Sequence, residues 1–221
     1  MLKVRYFSLK SNTHGTALSS VREWARYLND RNLKLVSSSK SDIVLSYQTV
    51  RQVRTISFLE DGSEVAQEYP TIDRYRMRLF VGREQTLILS VINPPRSGKV
   101  IADALDRLMP EVRTFFEPIT FTDRLVEQHV QQFDVAKLVS AKIRNFRVYD
   151  NAVGRLEISS RAGLLSSIAP FVEGKYYEVE SLTYEVISDL TKGLVTYSTN
   201  GTVRVSGPIV EAAFTRLEAC L

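Results

Sequence analysis

The chain has 221 residues, 44% hydrophobic and 24% charged, with a formal net charge of +4 and a single cysteine. These are ordinary globular values, and they exclude a low-complexity polymer, a disulfide-built scaffold and a histone-like polycation. No apolar run is long enough to span a bilayer and Met1–Lys10 has no secretory core, so the expected compartment is the cytoplasm, with no membrane attachment.

In chain order, Lys3–Leu9 reads as a strand. Ala17-Leu-Ser-Ser-Val21 then opens a helix with Leu18, Val21, Ala25 and Leu28 on one face. Trp24 on that helix is a core or interface anchor. Thr55–Leu59 is a strand candidate, and Leu59-Glu-Asp-Gly-Ser63 suits a turn for backbone reasons alone. In Arg74-Tyr-Arg-Met-Arg-Leu-Phe-Val81 arginine stands at every second position. On a strand this puts Arg74, Arg76 and Arg78 on one face, and Tyr75, Met77, Leu79 and Val81 on the other. Another strand candidate, Thr86–Ser90, follows the turn Gly82–Gln85. Asn93-Pro-Pro-Arg-Ser-Gly-Lys99 then leads into a helix capped by Ser97. It lacks the glycines and the hydroxyl residue of a nucleotide-binding loop, although Arg96 and Lys99 suit a phosphate contact at a helix start.

Pro110 to Thr122 is the best junction. Beyond it Leu125, Val126, Val130 and Phe133 mark a helix over Asp123–Val139 that packs as a connector, with His129 near its apolar stripe. Gly154–Ser159 reads as a strand, and Leu164-Leu-Ser-Ser-Ile168 echoes the first helix start. Tyr176, Tyr177, Tyr184 and Tyr197 fall on strands, Asn200-Gly201 marks a hairpin, and Thr202–Ser206 is a strand. The last helix enters at Ser206-Gly-Pro, with Pro208 in its first turn.

Ser97-Gly-Lys-Val-Ile-Ala-Asp-Ala-Leu-Asp-Arg-Leu108 and Ser206-Gly-Pro-Ile-Val-Glu-Ala-Ala-Phe-Thr-Arg-Leu217 match at half-chain spacing. Together with the upstream echo they predict an α+β protein of two pseudo-repeated lobes, each strand, helix, antiparallel strands, helix. The expected boundaries are 1–110 for a basic first lobe, 111–140 for a connecting segment and helix, and 141–221 for the second lobe. This order of elements resembles the TATA-binding-protein-like architecture, without that family's paired aromatic wedges. The resemblance implies a mostly antiparallel sheet with helices on one face, and directs attention to the opposite face.

Charge is uneven: residues 1–110 hold 17 Lys/Arg against 11 Asp/Glu, and residues 111–221 hold 12 against 14. Aligned guanidiniums repel one another unless carboxylates or phosphates lie across them. The leading expectation is therefore a non-catalytic nucleic-acid-binding protein, gripping the phosphate backbone through Arg51, Arg54, Arg74, Arg76 and Arg78, with Arg96 and Lys99 adding contacts. The first alternative is a structural or adaptor subunit of a homo- or hetero-oligomer, its basic half meeting an acidic half (Glu173, Glu178, Glu180, Glu185, Asp189) of another copy. The second is a metal-dependent nuclease in which Asp42, Glu60, Asp61 and Asp73 converge. No Cys or His spacing suits zinc, His14 lies in a polar loop, and Cys220 has no local histidine. No catalytic residue, metal or cofactor is expected.

Overall fold

The computed structural model describes residues 1–11, 17–83, 85–149, 152–164 and 176–221. The protein is a mixed α+β chain with mostly antiparallel sheet, and the described residues contain four helices. None of those helices is long and apolar enough to cross a membrane. His14 and the segment 165–175, with the second helix echo, lie outside the described residues. Two compact units are drawn from interleaved stretches of chain: residues 1–9, 81–94 and 116–221 form one, and 10–80 and 95–115 form the other.

In the first unit the central strand is β1 (Leu2–Ser11). It is flanked antiparallel by β5 (Leu87–Ile92) and β11 (Thr202–Ser206), with Val4 opposite Ile92 on one side and Val203 on the other. β6 (Thr114–Pro118) also pairs with β1. Beyond β11 come β10 (Thr191–Ser198), β9 (Glu178–Ser188), β7 (Val135–Tyr149) and β8 (Ala152–Ser159). Tyr6, Phe7, Leu89, Val195 and Val203 are almost wholly buried, as expected where side chains of a central strand meet cover on both faces. The β10–β11 loop has three residues, Thr199 to Gly201, and Gly201 alone takes a positive φ, +76°. A Cβ there would meet the Tyr6 carbonyl at 2.7 Å, so the Asn-Gly signal marks a hairpin but not a two-residue turn.

Helices α3 (Asp123–Val130) and α4 (Val210–Cys220) belong to this unit. Two boundaries differ from expectation. The helix expected to reach Val139 stops at Val130, and β7 starts at Val135; apolar residues run on from one into the other with no glycine or proline to mark the stop. Asp134 in the connection accepts the Asp189 backbone N–H at 3.0 Å. The last helix starts four residues after Ser206, which ends β11, so Ser206 does not cap it. Its N-cap is Ile209, without a side-chain hydrogen bond.

In the second unit β2 (Leu33–Ser38), β3 (Asp42–Phe58) and β4 (Glu64–Val81) form an antiparallel sheet. Helix α1 (Leu18–Arg26) buries Leu18, Val21 and Ala25. Helix α2 (Gly98–Leu108) buries Ile101, Ala104, Leu105 and Leu108. Ser97 caps α2 as expected, accepting the Lys99 N–H at 3.2 Å. The sheet contributes Ile43, Leu45, Tyr47, Met77 and Leu79 from one face, each no more than 2% exposed. Tyr47 on that face donates to Asp103 of α2, and Arg107 joins Asp103 (3.1 Å) to Asp30 (2.8 Å). Burial and the Asp103 carboxylate push the Tyr47 phenol up to about 12. Backbone N–H of Asn32 and the Arg107 guanidinium hold Asp30 below its usual range.

Candidate interaction arm

β3 and β4 are far longer than the layer of helices that covers them. From the pair Val50–Ile72 to the pair Phe58–Glu64 they run on for nine further residue pairs as a two-stranded ribbon. Along that arm nearly every residue is exposed on both faces, including Val50 (65%), Ile56 (48%), Phe58 (72%) and Ile72 (55%). It closes at Leu59–Ser63, where the Leu59 N–H donates to the Ser63 carbonyl, Asp61 accepts from Ser63, and Gly62 takes a φ of +79°. A lone two-stranded hairpin is marginally stable in water, and apolar side chains laid along it have no packing of their own.

Register assigns each expected contact residue to a face. Directly paired residues share a face, so Ser46 with Arg76, Gln48 with Arg74, Val50 with Ile72, Arg54 with Glu68, Ile56 with Ala66 and Phe58 with Glu64 form one row. Arg74, Arg76 and Arg78 lie on this face, opposite Met77 and Leu79, in the alternation the sequence implies. Arg54 joins them and Arg51 does not: it lies on the other face and pairs with Asp73 at 3.2 Å. Arg78 pairs with Asp42 at 2.7 Å and stacks over Phe80. Ser39 and Arg78 together hold the Asp42 carboxyl below its usual range. Among the described residues Arg54, Arg74 and Arg76 form no ion pair, and Arg74 and Arg76 are exposed. Arg96 and Lys99 precede and open α2 in the same unit, exposed.

Charge along the arm is graded. Residues 48–76 carry Arg51, Arg54, Arg74 and Arg76 against Glu60, Asp61, Glu64, Glu68 and Asp73, a net −1. Three arginines gather at the root and three carboxylates at or beside the tip. The carboxylates weighed for a metal site serve separate partners: Asp42 holds Arg78, Asp73 holds Arg51, and Asp61 holds Ser63. No group of three or more metal-ligating side chains occurs among the described residues.

The acidic half is largely neutralised within the chain. Glu178 pairs with Arg144 at 3.0 Å, Glu180 with Arg155, and Glu185 with Lys192 at 2.7 Å. Glu173 lies outside the described residues. Glu185 and Lys192, paired with each other, line an open cleft of about 710 Å3 together with Val139, Ser140, Ser159, Thr183 and Leu194. Two other chemically notable side chains among the described residues are enclosed. His129 is fully buried and Cys220 nearly so, its thiol raised by burial and bonded to the Gln132 amide. Sequence reasoning located the arginine row but missed the arm. Its one available signal was the length of the strand-like runs on both sides of Leu59–Ser63.

No family model matches the sequence, and no curated protein matches it.

Proposed function

We propose that the protein is a non-catalytic assembly subunit whose contact element is the β3–β4 arm. One observation carries this reading: a nine-pair ribbon with Val50, Ile56, Phe58 and Ile72 exposed along one face. Such a face has a large free-energy incentive to be covered, at ~25 cal/mol for each Å2 of apolar surface removed from water. The net −1 of residues 48–76 favours a protein partner over a phosphate backbone, which the carboxylates at the tip repel. A cytoplasmic site of action belongs to the same proposal.

The experiment is a photo-crosslinking amino acid at Phe58 in the full chain, expressed in cells. Crosslinks to protein, either a second copy or another chain, are expected. Crosslinks to nucleic acid alone, or none, overturn the reading.

A second reading keeps nucleic acid as partner. It rests on Arg54, Arg74 and Arg76, which share a face and are not neutralised by carboxylates among the described residues. Arg51, Arg78, Arg96 and Lys99 then add charge around them. Binding of this kind weakens steeply with salt, and Arg74→Ala with Arg76→Ala lowers the slope by about two counterions. Salt-independent retention of nucleic acid excludes it.

Duplication of an ancestral lobe, with halves 1–110 and 141–221 joined by 111–140, is also proposed. What supports it is that β5 and β11 flank β1 from opposite sides and each leads into one of the two matching helices, α2 and α4.

A further inference from the structure

We propose that the arm's partner is a second copy of this chain, the two arms lying face to face and antiparallel about a twofold axis. This deepens the assembly reading and rests on it. From root to tip the face runs Ser46/Arg76, Gln48/Arg74, Val50/Ile72, Gln52/Pro70, Arg54/Glu68, Ile56/Ala66, Phe58/Glu64, and then the turn with Glu60 and Asp61.

Reversing that order against itself, with the axis between the Gln52/Pro70 and Arg54/Glu68 rungs, sets Val50 and Ile72 against Ile56 and Ala66 of the other copy. The same register sets Arg74 against Glu64 and Arg76 against the Glu60–Asp61 turn. Every such contact occurs twice, as an isologous interface requires. The two apolar rungs Val50/Ile72 and Ile56/Ala66 therefore meet, the exposed root arginines meet the tip carboxylates, and Phe58 lies against Gln48 of the other copy. Shifting the register by one rung puts the axis either on the Arg54/Glu68 rung, which faces Arg54 with Arg54 and Glu68 with Glu68 of the other copy, or on the Gln52/Pro70 rung, which faces Val50 with Arg54 and Ile72 with Glu68, and both shifts move Arg74 off Glu64. The complementarity therefore selects a single alignment. From residue 46 to residue 58 the face is about 40 Å long, and two arms pack as a small two-layer sandwich. A footprint of that length and only two strands wide is at the small end of specific interfaces, so the dimer is weak and depends on concentration.

The test uses two charge-reversed full-length proteins. One carries Arg74→Glu and Arg76→Glu, the other Glu60→Arg and Glu64→Arg. All four positions are exposed, so both variants keep the monomer fold, checked by circular dichroism. Sedimentation velocity is run on wild type, on each variant and on their equimolar mixture across protein concentration. Wild type is expected to dimerise. Each variant alone should self-associate more weakly by about tenfold or more, because like charges then face each other twice. The mixture should regain a heterodimer of wild-type strength, since every reversed contact is again opposite in sign.

Wild type that stays monomeric at all concentrations overturns the pairing, as does a variant that dimerises normally or a mixture that fails to recover. A monomer whose Phe58 crosslinks to a different protein sinks the self-pairing and leaves the assembly reading standing. A monomer with no protein crosslink sinks both, and a monomer that binds only nucleic acid sinks both in favour of the phosphate reading.

Discussion

His129 Nδ1 lies 2.5 Å from the Tyr197 hydroxyl, and the ring is wholly shut off from water. Its other nitrogen, Nε2, is 2.9 Å from the Ala213 carbonyl, which only accepts. Nε2 therefore carries the proton and donates, and Nδ1 accepts from Tyr197. One neutral imidazole ties α3 to β10 and α4 with all its hydrogen-bonding capacity used.

Burial pushes the His129 imidazole down to about 4, with Arg216 adding to the shift. The unfolded chain binds this proton near pH 6.5, so the folded protein is at a disadvantage below that pH. Stability is flat above pH 6.5, falls as the pH drops from 6.5 to 4, and has lost about 2 kcal/mol by pH 5. Urea denaturation at pH 7.5 and pH 5 measures this. In His129→Gln the difference between the two pH values should disappear, although the variant is less stable at both. Tyr197→Phe removes the donor to Nδ1 and should cost about 1–3 kcal/mol at pH 7.5.

The β9–β10 hairpin turns through Asp189 and Leu190, with φ of 48° and 64°. Leu190 is completely exposed, so its side chain gains no packing in return for a left-handed backbone. Leu190→Gly should raise stability by about 1 kcal/mol, read as a higher denaturation midpoint with an unchanged slope. A lower midpoint would mean that the leucine makes a contact in solution that its exposure conceals.

Gly193 shows the opposite constraint. A Cβ there would approach the Ser206 carbonyl to 2.4 Å and Ile209 to the same distance, at the entry to α4. The backbone on one side cannot give way as a flexible side chain does. Gly193→Ala should destabilise the protein by about 1–3 kcal/mol, the range for overpacking. A neutral thermal melt would show that the α4 entry is looser than this geometry.

Core and arm should respond differently to truncation. Leu45 and Met77 are no more than 1% exposed beneath the helices of their unit, and either change to Ala should cost about 2–5 kcal/mol. Phe58→Ser, at a position 72% exposed, should leave the monomer's denaturation midpoint within about 0.5 kcal/mol of wild type. The comparison is made at a protein concentration too low for association.

Local chemistry was the legible part of the sequence. The alternation in residues 74–81 correctly separated arginines from core, because a strand's period of two admits no other arrangement. Ser97 announced its cap for an equally local reason. The arm was not legible, since Val50–Phe58 and Glu64–Ile72 are rich enough in β-branched and aromatic residues to read as strand whether or not anything covers them. Periodicity reports which residues share a face and is silent on whether anything lies against it. Helix α3 was overextended because apolar residues run on past Val130 (Phe133, Val135, Leu138) with no glycine or proline to mark the stop. Arg51 was grouped with the other arginines for want of a register. Only the pairing of Arg51 with Thr71 puts it on the far face.

β1 carries a delay into biosynthesis. Residues 4–5 find one neighbour in residues 91–92, and residues 2–5 find the other only in residues 202–205. At 5–20 residues per second a ribosome needs roughly 6–22 seconds to pass from the first of those events to the second. Throughout that interval the innermost strand of its unit has an unsatisfied edge, which makes the nascent chain, more than the finished one, the form that needs a chaperone's protection.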